Sequence, residues 1–389
     1  MSARKIFNRD FTLNFFAQFT LASVFHIYIP TLPIYLSRKG SSEVEIGILI
    51  GILGLSSLVF RPFVGRALMK ISERSFMLVG SLLFALTSAV YLVVSPFWPF
   101  LAVRVFQGIG LAFFYTASLT LVARVSPEAH RGQSLSYYFL SINVAFALAP
   151  TFGMFLVNRF SFSVLFLACT GVSLCSFFIT WKIKKREPDA LGDPSTQIQS
   201  LFNWRVLQPA VMIFLIHIIW GTLTAFFPLY AFNQGVTNPG LFFAVYASIL
   251  VLGRAFGGKL LDRYSREKII LPCLTTYIIA MVILAFSKTL PMFVVVAVIW
   301  GIGNAFMIPS LVAFALDLAG PARGPAMGLF TAIGDLGTGL GPITMGIILR
   351  LTSYPTMFLC LALTGFINLN YFLFFVRNRR IPNVLPGQY

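Results

Sequence analysis

Apolar residues run along this chain in long stretches broken by short polar turns. A helix rises 1.5 Å per residue, so about 20 apolar residues cross the roughly 30 Å hydrocarbon layer of a bilayer. Twelve such stretches occur, at about 11–36, 45–68, 75–95, 98–124, 133–157, 162–182, 206–232, 240–261, 268–287, 291–317, 325–349 and 354–376. The longest polar interruption, Lys182 to Arg205, divides them six and six. The pattern predicts an all-α membrane protein of twelve transmembrane helices: a six-helix bundle over 1–183, a cytoplasmic linker over 184–205, a second bundle over 206–376 and a tail over 377–389. The first stretch is too long for a signal-peptide core and carries prolines where a cleavage site would want small residues, so it reads as a retained helix.

The two halves are related. Arg61-Pro-Phe-Val-Gly65 and Arg254-Ala-Phe-Gly-Gly258 are the same phrase 193 residues apart, and that offset also lays Gly108 and Gly110 on Gly301 and Gly303. Past the next loop the offset becomes 192, placing Pro150 on Pro342 and Asn143 on Asp335, as a single loop deletion would produce. Solenoid repeats run about 20–50 residues, so this period marks two duplicated bundles with pseudo-symmetry.

Composition agrees with a lipid setting: 58% of residues are hydrophobic and only 11% charged, and mean hydropathy is +0.85. Soluble chains usually carry about 25% charged residues. The 29 Lys and Arg against 12 Asp and Glu would suit nucleic acid, but their positions point elsewhere. Twenty-one of them lie at the termini, the even-to-odd loops and the linker, five lie in the opposite loops, and Arg61, Arg104 and Arg254 lie inside spans. By the excess of positive charge on cytoplasmic loops, both termini face the cytoplasm, and the chain is expected in the plasma membrane, the inner membrane of a bacterium, with no nucleic-acid partner. The run Lys182-Ile-Lys-Lys-Arg186 then reads as a helix end anchored in anionic head groups. Cys169, Cys175, Cys273 and Cys360 sit singly in apolar runs, with no disulfide or metal spacing.

Several motifs resemble those of the major facilitator superfamily, and the resemblance covers essentially the whole chain. After span 8, Gly258-Lys-Leu-Leu-Asp262-Arg263-Tyr-Ser-Arg266-Glu-Lys268 is nearly the family's loop motif; the first copy keeps Gly65 but has Met69 where the acid belongs. Span 4 carries Arg104-Val-Phe-Gln107-Gly108-Ile-Gly110, similar to a motif associated with proton coupling. Span 11 has Gly337-Thr-Gly-Leu-Gly341-Pro342, close to the drug-antiporter motif that span 5 keeps only in degenerate form around Ala149-Pro150. The resemblance implies a substrate site between the halves near the midplane. It also implies a cytoplasmic gate built from Gly65, Arg124, Asn143, Arg254, Gly258, Asp262, Arg263 and Arg266, in which Asp262 caps the start of helix 5 near His130-Arg131-Gly132. A second reading has Asp262 only neutralising its basic loop neighbours.

Only Asp335 among the acids lies deep in a span, at a depth comparable to Arg61, and in the family's architecture helices 2 and 11 face each other. Desolvation drives a carboxylate towards its protonated form and a nearby arginine opposes this, so rocking that separated Arg61 from Asp335 would couple proton uptake to movement. A permanent ion pair is the other reading. Arg104, about six residues inside its span, either faces the cavity or snorkels to the interface. His26, Gln107, Tyr115, His217, Trp220, Trp300 and Asn304 are the expected cavity residues, aromatic and lightly polar, and the two histidines read equally as titrating groups or as packing. Such a lining suits an amphiphilic or aromatic molecule better than a sugar.

The expected activity is therefore a proton-coupled exporter of small organic molecules, acting as a monomer with substrate, protons and the lipid bilayer as partners. An importer or uniporter of an organic anion bound by Arg104 is a second reading. A membrane enzyme or sensor is a third, for which no catalytic cluster, phosphate-binding loop or metal-ligand spacing is present. No cofactor and no metal are expected.

Overall fold

The computed structural model describes residues 7–127, 130–186, 206–263, 266–319 and 323–377, with side chains for all of these except 131, 132, 254–263, 266 and 323–325. The first six helices are α1 (Arg9–Arg38), α2 (Glu43–Ala67), α3 (Glu73–Val90), α4 (Trp98–Val125), α5 (Arg131–Arg159) and α6 (Phe162–Trp181). The second six are α7 (Leu207–Asn233), α8 (Gly240–Arg263), α9 (Arg266–Phe286), α10 (Leu290–Ala319), α11 (Arg323–Leu351) and α12 (Tyr354–Tyr371), the last continuing as a π-helical turn over Phe372–Val376. Among the described residues, eleven are long and apolar enough to span a bilayer, and α8 contributes the shorter apolar stretch Gly240–Gly253. Phe63, Phe152, Leu167, Phe286 and Phe366 are each more than half exposed, which lipid permits and water would penalise.

Local chemistry sets the helix ends. Asn8 accepts a hydrogen bond from the Phe11 amide at 2.9 Å, and Ser42 and Glu45 form a reciprocal capping box at the start of α2. Gly40 and Gly235 end α1 and α7 in the left-handed region, at φ +84° and +81°, where a side chain would be strained. These two turns reveal a further repeat, Pro33-Ile-Tyr35 to Gly40 and Pro228-Leu-Tyr230 to Gly235, at an offset of 195. Tyr35 packs on Phe100, Phe162 and Phe166, and Tyr230 packs on Phe293, Tyr354 and Phe358. The two clusters occupy equivalent places, because the aromatic partners match at offsets of 193 and 192.

Each bundle is assembled through equivalent glycines. A Cβ on Gly108 would strike Ser56 and the Leu53 carbonyl, and one on Gly301 would press on Ile249 and the Tyr246 carbonyl, the same neighbours shifted by 193. The Gly110–Gly80 contact recurs as Gly303 against Cys273 and Thr276. With little hydrophobic drive between helices in lipid, such close backbone approach supplies the packing.

The bundles meet mainly through α2 with α11 and α5 with α8. At the end carrying the α1–α2 and α7–α8 turns, the backbone at Gly47 abuts the Pro342 carbonyl and that at Gly240 abuts the Pro150 carbonyl. Proline removes the amide that a helix would use at that position, and each of these helices leans its proline carbonyl on a glycine of the other bundle. The seam continues through Gly51 against Gly339 and Gly346 against the Glu43 carbonyl. Asn158 donates to the Thr237 carbonyl at 2.7 Å, and the Arg38 guanidinium lies between the Phe162 and Phe232 rings at 5.5 and 5.1 Å, all at the same end. That end is closed.

Candidate functional site

Behind the closed end lies a cavity of about 390 Å³ between the bundles. It is walled by α1, α2, α4 and α5 from one half and by their counterparts α7, α8, α10 and α11 from the other. Three groups of side chains furnish it.

Arg104 is 5% exposed and does not snorkel. Its Nε donates to the Leu49 carbonyl at 2.7 Å, Nη2 to the Ile50 carbonyl at 3.3 Å, and Nη1 to Gln107 Oε1 at 2.7 Å. The Tyr91 hydroxyl donates to that same oxygen at 2.7 Å. Two donors on Oε1 fix the amide, and Gln107 Nε2 is left buried without a partner. No carboxylate among the described residues pairs with Arg104.

Arg61 on α2 pairs with Asp335 on α11 through Nη1 and Oδ2, across the two halves. Both line the cavity, and each side chain remains about a quarter exposed, at 27% and 25%. The guanidinium also lies 5.6 Å from the Tyr115 ring centroid. Gly334 and Gly337 of α11 leave room for His217 of α7. Its Nδ1 is 3.2 Å from the Thr338 hydroxyl, and the imidazole lies within electrostatic reach of Asp335.

The third group is an aromatic slab. Tyr246 stacks on Trp300 at 4.3 Å and on Trp220 at 5.7 Å, and Phe146 of the other half meets Trp220 edge-on at 5.5 Å. Asn304 donates to the Tyr246 hydroxyl, which leaves its Oδ1 buried and unpartnered.

Of the residues expected in the cavity, Gln107, His217, Trp220 and Asn304 line it. His26, Tyr115 and Trp300 stand one layer behind. His26 turns onto its own helix, with Nδ1 2.7 Å from the Ala22 carbonyl, and lies against Phe146 at 4.8 Å. Tyr115 sits against Arg61, and Trp300 is wholly buried behind Tyr246 and Trp220. The side chains of Arg254, Gly258, Asp262, Arg263 and Arg266 lie outside the described residues, as do those of Arg131 and Gly132. Gly65 has no heavy atom within 4 Å of where a Cβ would stand, Arg124 pairs with Glu73 of its own bundle at 3.2 Å, and Asn143 is half-buried on α5. Sequence reasoning missed Tyr91, Tyr246, Gly47 and Gly240. Their signal was available as the second member of each repeat pair: Tyr246 stands where the first half has Leu53, and Gly47 and Gly240 share the 193 offset.

The sequence profile of the Major Facilitator Superfamily matches residues 15–253 and, in a second match, 209–388. The chain belongs to that superfamily. This transporter is 25% identical over 363 residues to the staphylopine export protein of Staphylococcus aureus strain Mu50, covering 90% of each chain. It is 21% identical over 354 residues to the quinolone resistance protein NorA of S. aureus strain MSSA476, covering 87% of this chain and 89% of that one. In fold it is similar to the nucleoside transporter NupG, with a TM-score of 0.81 at 15% identity over 93% of this chain and 98% of that one. The human organic anion transporter MFSD10 superposes with a TM-score of 0.68 at 15% identity, covering 93% and 98%.

Proposed function

We propose that this transporter exports small amphiphilic or aromatic organic molecules in exchange for protons. The observation that carries this reading is the Arg61–Asp335 pair, which joins the two halves on the wall of the cavity. Protonating Asp335 cancels its charge and dissolves the tie between α2 and α11, so occupancy by a proton and the relative position of the halves influence each other. Residues 1–183 and 206–376 rock as two bodies about the cavity, joined by 184–205 and working as a monomer. The positive-inside distribution orients both termini towards the cytoplasm of a bacterial inner membrane, so the closed turn end faces outward. Export is supported by the staphylopine export protein and quinolone resistance relatives.

The test is accumulation of aromatic dyes and quinolones in cells lacking their own efflux pumps, with and without this transporter and with and without an uncoupler. The expected result is lowered accumulation that the uncoupler restores. Raised accumulation, or a lowering that ignores the uncoupler, contradicts the proposal.

A further inference from the structure

Sliding one half of the chain onto the other shows that the two cavity walls have diverged in opposite directions. At an offset of 193, Arg104 meets Ala297, Gln107 meets Trp300 and Ser57 meets Leu250. In the reverse sense, Leu53 meets Tyr246 and Leu111 meets Asn304. The first half thus supplies a cation and hydrogen-bond donors where the second has apolar or aromatic groups. The second half supplies a flat aromatic surface and an amide where the first has leucine.

The polar wall is built but unfinished. A guanidinium has five N–H groups; Arg104 places three on two backbone carbonyls and Gln107 Oε1, and it also reaches the Tyr91 hydroxyl. The cavity's other cation, Arg61, already has Asp335, so the charge of Arg104 is the uncompensated one. An unpaired charge at this depth costs several kcal/mol, and a buried donor left without an acceptor adds to that. Gln107 Nε2 is such a donor, held in place by the two bonds to its own oxygen. The remaining guanidinium N–H and this amide together match a planar oxyanion, which takes charge-assisted bonds from both. On the facing wall, Trp220 and Tyr246 present a stacked surface, and Asn304 Oδ1 awaits a donor. About 390 Å³ accommodates a molecule of one to three fused rings.

We infer that the substrates of this cavity are aromatic carboxylates, bound with the carboxylate between Arg104 and Gln107 and the ring against Trp220 and Tyr246. The inference rests on the reading of this cavity as the transport site and adds the chemical class to it.

Thermal unfolding of the full chain in lipid nanodiscs, titrated with matched pairs, tests it. The probes are indole-3-acetate, naphthalene-2-carboxylate and quinoline-4-carboxylate, each beside its neutral carboxamide. At least one carboxylate is expected to bind about tenfold or more tightly than its amide, a difference of the size a charge-assisted pair confers. Gln107→Glu keeps an acceptor for Arg104 and Tyr91 while neutralising the site, so it should fold normally and bring the ratio to about one or invert it. Trp220→Ala should weaken acid and amide alike. If no carboxylate outbinds its amide in the wild type, or if Gln107→Glu keeps the preference, the inference is overturned. A wild-type chain that shows the carboxylate preference but no uncoupler-sensitive efflux would sink proton-coupled export alone.

Discussion

Asp335→Asn is expected to reduce uncoupler-sensitive export to the level of cells without the transporter while leaving substrate exchange across de-energised proteoliposomes intact. The reasoning is thermodynamic. A proton gradient drives uphill movement only if some group binds a proton on one side and releases it on the other in step with the conformational change. Asp335 is the acid on the cavity wall, and its partner Arg61 belongs to the opposite half. Asn fits the same space and accepts a hydrogen bond from Arg61, but neither ionises nor carries a proton. Exchange needs only binding and rocking, and the Arg104 and aromatic groups are untouched by the change. Because the pair is about a quarter exposed, water screens the guanidinium left behind, and the fold should tolerate the loss. Matched transport assays of the two proteins decide it: full uphill export by the variant would remove Asp335 from the mechanism and leave it a structural ion pair.

Gly240→Val is expected to abolish transport by a different route, holding the closed turn end apart. A Cβ on Gly240 would stand 2.5 Å from the Pro150 oxygen and 2.6 Å from its carbon, both backbone atoms that cannot swing aside. Valine adds two methyls to that collision, and relieving it requires the α5–α8 seam to separate by roughly 1 Å or more. The protein is expected to fold, because each bundle packs on its own glycines and separation of the seam relieves the clash. Ser57→Cys on the cavity wall serves as the reporter, in a background without the four native cysteines. Impermeant maleimide added outside should label it at least about tenfold faster in the valine variant, as a shift of 1.4 kcal/mol or more in the opening equilibrium gives. Gly171→Val, where nothing lies within 4 Å, should change neither labelling nor transport. Slow labelling and normal transport in the Gly240 variant would show that the seam is not a gate.

Much of this architecture was legible beforehand. Twelve apolar stretches and a 193-residue repeat imply two related bundles because hydrophobic length and duplication are properties of sequence. Arg61 and Asp335 were placed at matching depths by counting along antiparallel helices, and they pair. Arg104 left two readings open, since depth does not say which way a side chain points; its bonds to Leu49 and Ile50 carbonyls, invisible in sequence, turn it inward. The seams at the turn end were missed for a related reason. A proline carbonyl resting on a glycine involves no side-chain chemistry, so Pro150–Gly240 and Pro342–Gly47 emerge only from backbone geometry. The motif around Ala149-Pro150 is degenerate, yet its proline makes the same contact as the better-kept copy. Trp300 and His26 were expected on the cavity wall because their helices line it; which face of a helix meets the cavity depends on rotation that apolar spans do not encode.

The central claim is that a proton on Asp335 changes how the halves sit. Spin labels at Ile71→Cys, on the turn after α2, and Gly328→Cys, near the start of α11, report the separation of those helices at the termini end. Both positions are open, Ile71 being 46% exposed and Gly328 having no neighbour within 4 Å. Electron–electron distance measurements across a pH series should show a second population growing as pH falls in the otherwise wild-type chain. Asp335→Asn should show that acid-form distribution at every pH. Distances that ignore pH in the wild-type chain, or the same pH response in the variant, would contradict the account.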